Sequence, residues 1–182
     1  MKTDRREEIL DVAEQLTQTQ GLNGFSYFDI SNKIGIKTSS IHYYFKTKDD
    51  LAVALIKRYH DNFKLQLDYI DANSSSPNEK LIKFAEIFKN LATSKDKFCL
   101  CGMLAAELSA LSGESHKELI RFFQASRQWL ANIFSICGSN HPEVDAKLYL
   151  SLLEGALLIA RVEGQPGMID EVANSFTKKF VV

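Results

Sequence analysis

The amino-acid sequence predicts an all-α protein of about nine helices. An N-terminal three-helix head of helix-turn-helix type is joined by a long helix to a larger helical remainder. Three observations carry this expectation. Glycine and proline are scarce, nine and three in 182 residues, so long stretches of chain contain no breaker. Apolar residues recur at spacings of three and four almost throughout, and no two segments alternate as paired strands do. The few breakers stand where helices end (Gly21, Gly35, Gly113, Gly138, Gly164) or begin (Pro77, Pro142).

The first helix is expected from about Thr3 to Gln20, with Ile9, Val12, Ala13 and Leu16 on one face and acids near its start. Ser26 precedes the apolar run Phe28 to Ile34, with Asp29 three residues on in a capping-box position. Thr38 to Phe45 makes about two turns. Thr47 and Asp50 form a second box, opening a stripe of Leu51, Leu55, Tyr59, Phe63, Leu67 and Ile70 that predicts one rod of about 30 Å. Asp71 to Asn78 reads as a loop that also writes the next start, with Ser76 as cap, Pro77 at the first position and Glu79 closing the box. That fifth helix carries Leu81, Phe84, Ala85, Phe88 and Leu91, and Lys95-Asp96-Lys97 interrupts the pattern after it. Four more helices follow: about Phe98 to Leu111, Ser115 to Cys137, Pro142 to Gly164, and Met168 to Phe180.

Composition narrows the classes of function. Hydrophobic residues at 45% and charged residues at 25% are globular proportions. Strictly apolar stretches such as Ala156 to Ala160 are far below a membrane span, and the charged start lacks the apolar run of a secretory signal. Three cysteines do not make a disulfide framework and suggest a reducing, cytoplasmic setting, with no membrane partner. There is no HExxH, Gly-rich phosphate loop or CxxC pair, and His42, His60, His116 and His141 lack metal-ligand spacing. The expectation is therefore a non-enzyme with no cofactor and no metal.

The stretch from Ser26 to Leu51 concentrates the chemistry. Two short helices separated by Gly35-Ile36-Lys37 have helix-turn-helix spacing. Ile41 and Phe45, at i and i+4, anchor the second helix and leave Thr38, Ser39, His42, Tyr43 and Tyr44 largely outward. Such groups suit base edges, thymine methyls and phosphates. Between Lys33 and Lys48 there are four lysines (33, 37, 46 and 48) and no acid, although the whole chain has a net charge of −1. Taken alone, the lysines also fit a solvated surface turn. Ser26, Lys37 and Ser40 complete the candidate DNA-binding set.

The run Ile34-Gly-Ile-Lys-Thr-Ser-Ser-Ile-His-Tyr-Tyr-Phe-Lys-Thr-Lys-Asp-Asp-Leu51 resembles the signature of the TetR/AcrR family of one-component transcriptional regulators. Gly35 in the turn, Tyr44-Phe45 closing the recognition helix, and the spacing from Phe45 to Lys48 to Leu51 carry the resemblance. Ser39 stands where Gly is frequent and His42 where Tyr is frequent. The resemblance implies that Lys48 and Tyr44 hold phosphates while Thr38, Ser39 and Tyr43 approach bases. It implies a DNA-binding domain over residues 1–48 and a ligand-binding and dimerisation domain over 49–182. It further implies a homodimer on a palindromic operator, half-sites about 34–36 Å apart or a multiple, and a long helix that transmits a ligand-induced tilt. A repressor released by a small-molecule or electrophile effector is the expected function. The alternative is a helical ligand-binding or adaptor protein that has lost DNA binding.

Candidates for effector contact are Tyr59, Phe63, Phe84, Phe88, Met103, Phe122, Phe123 and Trp129, a lining suited to an apolar or aromatic molecule if they are not simply core. Cys99 and Cys101 lie at a predicted helix opening beside Lys95 and Lys97, where dipole and cations favour thiolate. They resemble the sensor position of redox-responsive family members, or else pack as small hydrophobes. The eighth helix has leucines on nearly every side (Leu148, Leu150, Leu152, Leu153, Leu157, Leu158) and Gly155-Ala156 for close approach. It is expected to be buried on two sides, in a dimer or in a monomer's centre. Leu148, Leu152, Gly155 and Ile159, with Phe176 and Phe180 of the ninth helix as in the family, are the candidate dimer contacts.

Overall fold

The computed structural model describes residues 4–94 and 97–180; Thr3, Lys95 and Asp96 of the readings above lie outside the described residues. The described residues form nine α-helices: α1 (Arg5–Gln20), α2 (Tyr27–Ile34), α3 (Thr38–Tyr44), α4 (Lys48–Ala72), α5 (Pro77–Thr93), α6 (Leu100–Ala106), α7 (Gly113–Ile136), α8 (Pro142–Glu163) and α9 (Met168–Thr177). Short 3-10 turns follow α6 (Leu108–Ala110) and α9 (Lys178–Phe180). No strand occurs among the described residues. The all-α expectation is met.

The chain forms two compact units. One comprises the residues up to Asp61 together with Cys99–Ile120; the other comprises Asn62–Phe98 together with the residues from Arg121 onward. α4 and α7 each give their N-terminal part to the first unit and the rest to the second. α4 is one uninterrupted helix of 25 residues, about 37 Å at 1.5 Å per residue.

In the first unit the predicted caps form. Asp4 caps α1, its side chain accepting from Arg6 N. Ser26 and Asp29 make the reciprocal box at α2. Thr47 and Asp50 make the other: Thr47 N donates to Asp50 Oδ2 at 2.9 Å and Asp50 N to Thr47 Oγ1 at 3.1 Å. Each cap is worth about 1 kcal/mol. Beneath them Ile9, Ile30, Ile41, Leu51 and Leu55 are fully buried. Truncating any one to Ala costs about 2–5 kcal/mol. Arg58 of α4 ties α1 down electrostatically, reaching Asp11 at 2.7 Å, Glu14 at 2.7 Å and Glu7 at 3.2 Å.

In the second unit α5, α8 and α9 pack together. Phe84 stacks on Trp129 at 5.5 Å and meets Phe63 edge-on at 5.9 Å. Tyr149 is wholly buried, and its hydroxyl donates to Leu81 O at 2.9 Å, so its polar end is satisfied inside an apolar cluster.

Two helices end earlier than expected. The sixth was expected to reach Leu111 but stops at Ala106. Glu107 leaves helical geometry (φ −104, ψ 23), and its carboxylate bonds to the backbone N–H of Leu22 at 2.6 Å. A long-range partner thus overrides a locally helical pattern. The ninth was expected to reach Phe180, but α9 ends at Thr177, and the tighter turn that follows brings Phe180 to 4.9 Å from Phe134.

Candidate nucleic-acid interface

α2 and α3 are set by local chemistry. Gly35 ends α2 in the left-handed region (φ 69), and a Cβ there would meet nothing within 4 Å. Glycine is therefore used for its conformation and not for space. Ile36 N donates to Ser31 O at 3.1 Å, which turns the chain into α3. Ile41 and Phe45 are buried beneath α3, so its other face is left to solvent.

That face carries the expected groups. Ser39, His42, Tyr43 and Tyr44 are exposed, Tyr43 to 82%. The rings of Tyr43 and Tyr44 meet edge-on at 5.1 Å, and His42 meets Tyr27 edge-on at 4.8 Å. Lys33, Lys37 and Lys46 are exposed as well. Thr38 and Ser40 are half-buried, and Thr38 Oγ1 donates to Ser31 Oγ at 3.3 Å. Ser26 is engaged in its own cap, donating to Asp29 Oδ2 at 2.6 Å. That bond holds the exposed Asp29 carboxyl below its ordinary pKa.

Lys48 is engaged inside the head. Its ammonium donates to Leu22 O at 2.5 Å and also to Phe25 O, and lies 4.7 Å from the centre of the Phe25 ring. Burial lowers its pKa, while Glu107 and Asp29 act to raise it. A residue read from sequence as a phosphate contact thus also fastens the loop between α1 and α2.

Two arginines of α1 that the sequence reading did not single out, paired with Glu8 and Glu7, lie beside α3. Arg5 lines a surface groove with Ile36, Ser39, Ser40, Tyr43 and Tyr44, and Arg6 lines the neighbouring one with Tyr43, Tyr44 and Lys46. The Arg5-Arg6 doublet was the available signal, hidden by the acids around it in the charge count.

The effector candidates fall in both units. In the first, Tyr59 and Met103 are half-buried and Cys99 and Cys101 are buried. Cys99 is the N-cap of α6, its Sγ accepting from Gly102 N at 3.5 Å and from the Tyr59 hydroxyl at 3.9 Å. In the second, Phe63, Phe84, Phe88 and Phe122 are buried and pack on one another, while Phe123 and Trp129 are half-buried. Trp129 Nε1 donates to Asp71 Oδ2 at 2.9 Å. Burial raises the pKa of the third thiol, Cys137.

On α8, Ala146, Tyr149, Leu150, Leu153, Ala156, Leu157 and Ala160 face the core of their own chain. The opposite face is apolar and exposed: Val144, Leu148, Leu158, Ile159 and Val162. Gly155 lies in this stripe, with open space where a Cβ would stand, and Leu152 is half-buried. Val144, Leu148, Gly155, Leu158 and Val162 recur at intervals of four, seven, three and four, which keeps them on one side of the helix. Phe176 and Phe180, expected at the same interface, are half-buried; both rings meet Phe134, and Phe176 also meets Tyr149. Among the described residues no group of three or more His, Cys, Asp or Glu could hold a metal ion.

Comparison with known proteins places this geometry. The family model described as bacterial regulatory proteins, tetR family, matches residues 9–55, the span from α1 through the start of α4. The crystal structure of a TetR transcriptional regulator from Legionella pneumophila is 36% identical, with a TM-score of 0.92 over 98% of this chain and 99% of that one. A TetR-family transcriptional regulator from Agrobacterium tumefaciens is 26% identical, with a TM-score of 0.91 over 97% of both chains. The transcriptional regulator AcuR of Cereibacter sphaeroides is 27% identical over 180 residues, 92% of this chain and 81% of that protein. With a solved relative above 30% identity along nearly its whole length, the chain belongs to the TetR family of transcriptional regulators.

Proposed function

We propose that this regulator is a repressor that occupies a palindromic operator as a homodimer and leaves it when an effector binds. The observation that carries the reading is α3, whose apolar side is buried through Ile41 and Phe45 while Ser39, His42, Tyr43 and Tyr44 are exposed at the surface. A head that had lost DNA binding would have no reason to keep that face polar and ringed by Lys33, Lys37 and Lys46. Tyr43, Ser39 and Thr38 read bases; Lys37 and Tyr44 hold phosphates, and Lys48, its ammonium already on Leu22 O and Phe25 O, presents at most one remaining N–H to the backbone. Residues 1–48 act as the reader, and 49–182 serve effector binding and dimerisation through the exposed stripe of α8. The DNA partner gives the reading its place, the cytoplasm; no helix among the described residues is long and apolar enough to cross a membrane.

The effector is a small apolar or aromatic molecule held by the aromatic residues of α4, α5 and α7. Modification of Cys99 or Cys101 is the second route of release. Burial of both thiols supports the non-covalent route, since an electrophile reaches them only after local opening.

A gel-shift with the DNA flanking the protein's own coding region tests the reading, repeated with candidate effectors. Retarded bands that survive excess random duplex are expected. No preference over random duplex sinks the repressor reading. Maleimide labelling at neutral pH addresses the thiols: a fully modified Cys99 that leaves the shift intact removes the second route.

A further inference from the structure

The loop between α1 and α2 is held by side chains from far along the chain. Between Gly21 N, which still donates to Thr17 O, and Ser26 O, which accepts from Asp29 N, its backbone lies outside both helical ladders, so its polar groups need other partners. Two of its amides find one acceptor: Glu107 Oε2 accepts from Leu22 N at 2.6 Å and Oε1 from Asn23 N at 3.3 Å. Two of its carbonyls, Leu22 O and Phe25 O, find one donor, the Lys48 ammonium. A carboxylate grips the donors and a cation grips the acceptors, and the two charges attract one another.

Gly21 shows how tight the grip is. Its φ of 79 suits glycine, and a Cβ there would lie 2.7 Å from Glu107 Oε1. The carboxylate occupies the space a side chain would need.

Further bonds fasten the same segment five and eight residues on. Asp49, next to Lys48, caps the start of α7: Ser112 N donates to its Oδ1 at 2.9 Å and Ser115 Oγ donates at 2.6 Å. The stretch 107–115 is therefore bolted at one end to the α1–α2 loop and at the other to the first turn of α4. Those are the two points from which α2 and α3 hang. The α1–α2 loop feeds α2, and Tyr27 of α2 donates to Thr47 O at the entrance to α4.

We propose that Glu107, seconded by Asp49, is a positioning residue for DNA binding: its carboxylate sets the orientation of the recognition helix without touching DNA. The bonds run between residues 84 and 85 positions apart, so the segment between α6 and α7 becomes part of the reader's frame. The proposal deepens the DNA-reading assignment and rests on it for its binding arm alone.

The full-length protein is tested as wild type, Glu107→Ala and Glu107→Gln. Anisotropy is measured on a duplex of the DNA flanking its own coding region and on a scrambled duplex of equal length. Glu107→Ala should weaken binding to the flanking duplex about tenfold or more and leave the scrambled duplex within about twofold, because phosphate contacts survive misorientation while base contacts do not. Glu107→Gln, which keeps one acceptor oxygen, should recover most of the loss. Amide exchange gives a second arm that needs no operator: in Glu107→Ala, residues 22–25 and 38–44 should exchange about tenfold faster while α5 is unchanged. Should the wild type fail to prefer the flanking duplex, the operator assignment falls and the exchange arm decides the proposal alone. Wild-type exchange at 22–25 and 38–44 overturns it, as does equal loss on both duplexes with faster exchange throughout, which would reduce Glu107 to a stabilising residue.

Discussion

The Tyr27 hydroxyl donates to the Thr47 carbonyl across 2.6 Å, joining the first turn of α2 to the residue that caps α4. This bond closes the head, because α3 lies between these two positions in the chain.

Tyr27→Phe should lower stability by about 0.5–1.5 kcal/mol, read as a shift of the urea midpoint at unchanged slope. The pH profile supplies a sharper check. Burial, and secondarily Asp50, raise the Tyr27 pKa well above its ordinary 10, and burial raises that of Tyr149 likewise. A group more easily kept protonated when folded stabilises fully below its unfolded pKa and loses that contribution as pH climbs. Unfolding followed above about pH 10 should show stability falling, and falling less steeply in Tyr27→Phe.

Asp49 gives the opposite sign at the acid end. Burial pushes its carboxyl up, but hydrogen bonds from Ser112 and Ser115 outweigh that and hold it below its ordinary value. Its contribution is present above about pH 4 and lost as pH falls through the depressed folded value. Asp49→Asn should flatten the acid limb of the stability curve, and an unchanged limb would show that the α7 cap carries no linked proton.

Lys48 and Lys37 should separate when each is replaced. Lys48→Met leaves two loop carbonyls without their cation, and a loss of about 1.5–3 kcal/mol is expected in denaturant unfolding. Lys37 is exposed, so Lys37→Ala should leave stability within about 0.5 kcal/mol and reduce the salt slope of DNA binding by about one. A salt titration with an unchanged slope would remove Lys37 from the phosphate contacts.

The α8 stripe predicts assembly. Leu158 is 54% exposed in the single chain, so Leu158→Glu should spare the fold and place a charge in the seam. Sedimentation equilibrium should show the wild type as a dimer and the variant shifted toward monomer by tenfold or more, roughly 1.4 kcal/mol or above. A variant that still sediments as the wild type does moves the interface elsewhere.

What the chain states locally was legible without coordinates. Ser26 with Asp29, Thr47 with Asp50, and Ser76 before Pro77 announce helix starts because a cap involves only residues within one turn. Ile41 and Phe45 showed which side of α3 faces inward because helical periodicity depends on spacing alone. The family followed from the same short-range pattern. What the tertiary structure decided are the bonds whose partners lie far apart in sequence. Glu107 sits in a segment that reads as helix, yet it leaves helical geometry for an amide 85 positions away. Lys48 reads as a surface cation, yet its ammonium turns inward to two carbonyls. Phe176 and Phe180 read only as apolar residues of the last helix, and their meeting with Phe134, about 40 positions back, appears only in the fold. Periodicity reports that a residue is apolar or charged and on which side of its own helix it lies. Which surface meets that side is set by packing of the whole chain, and only there do the partners of Glu107, Lys48 and Phe180 become defined.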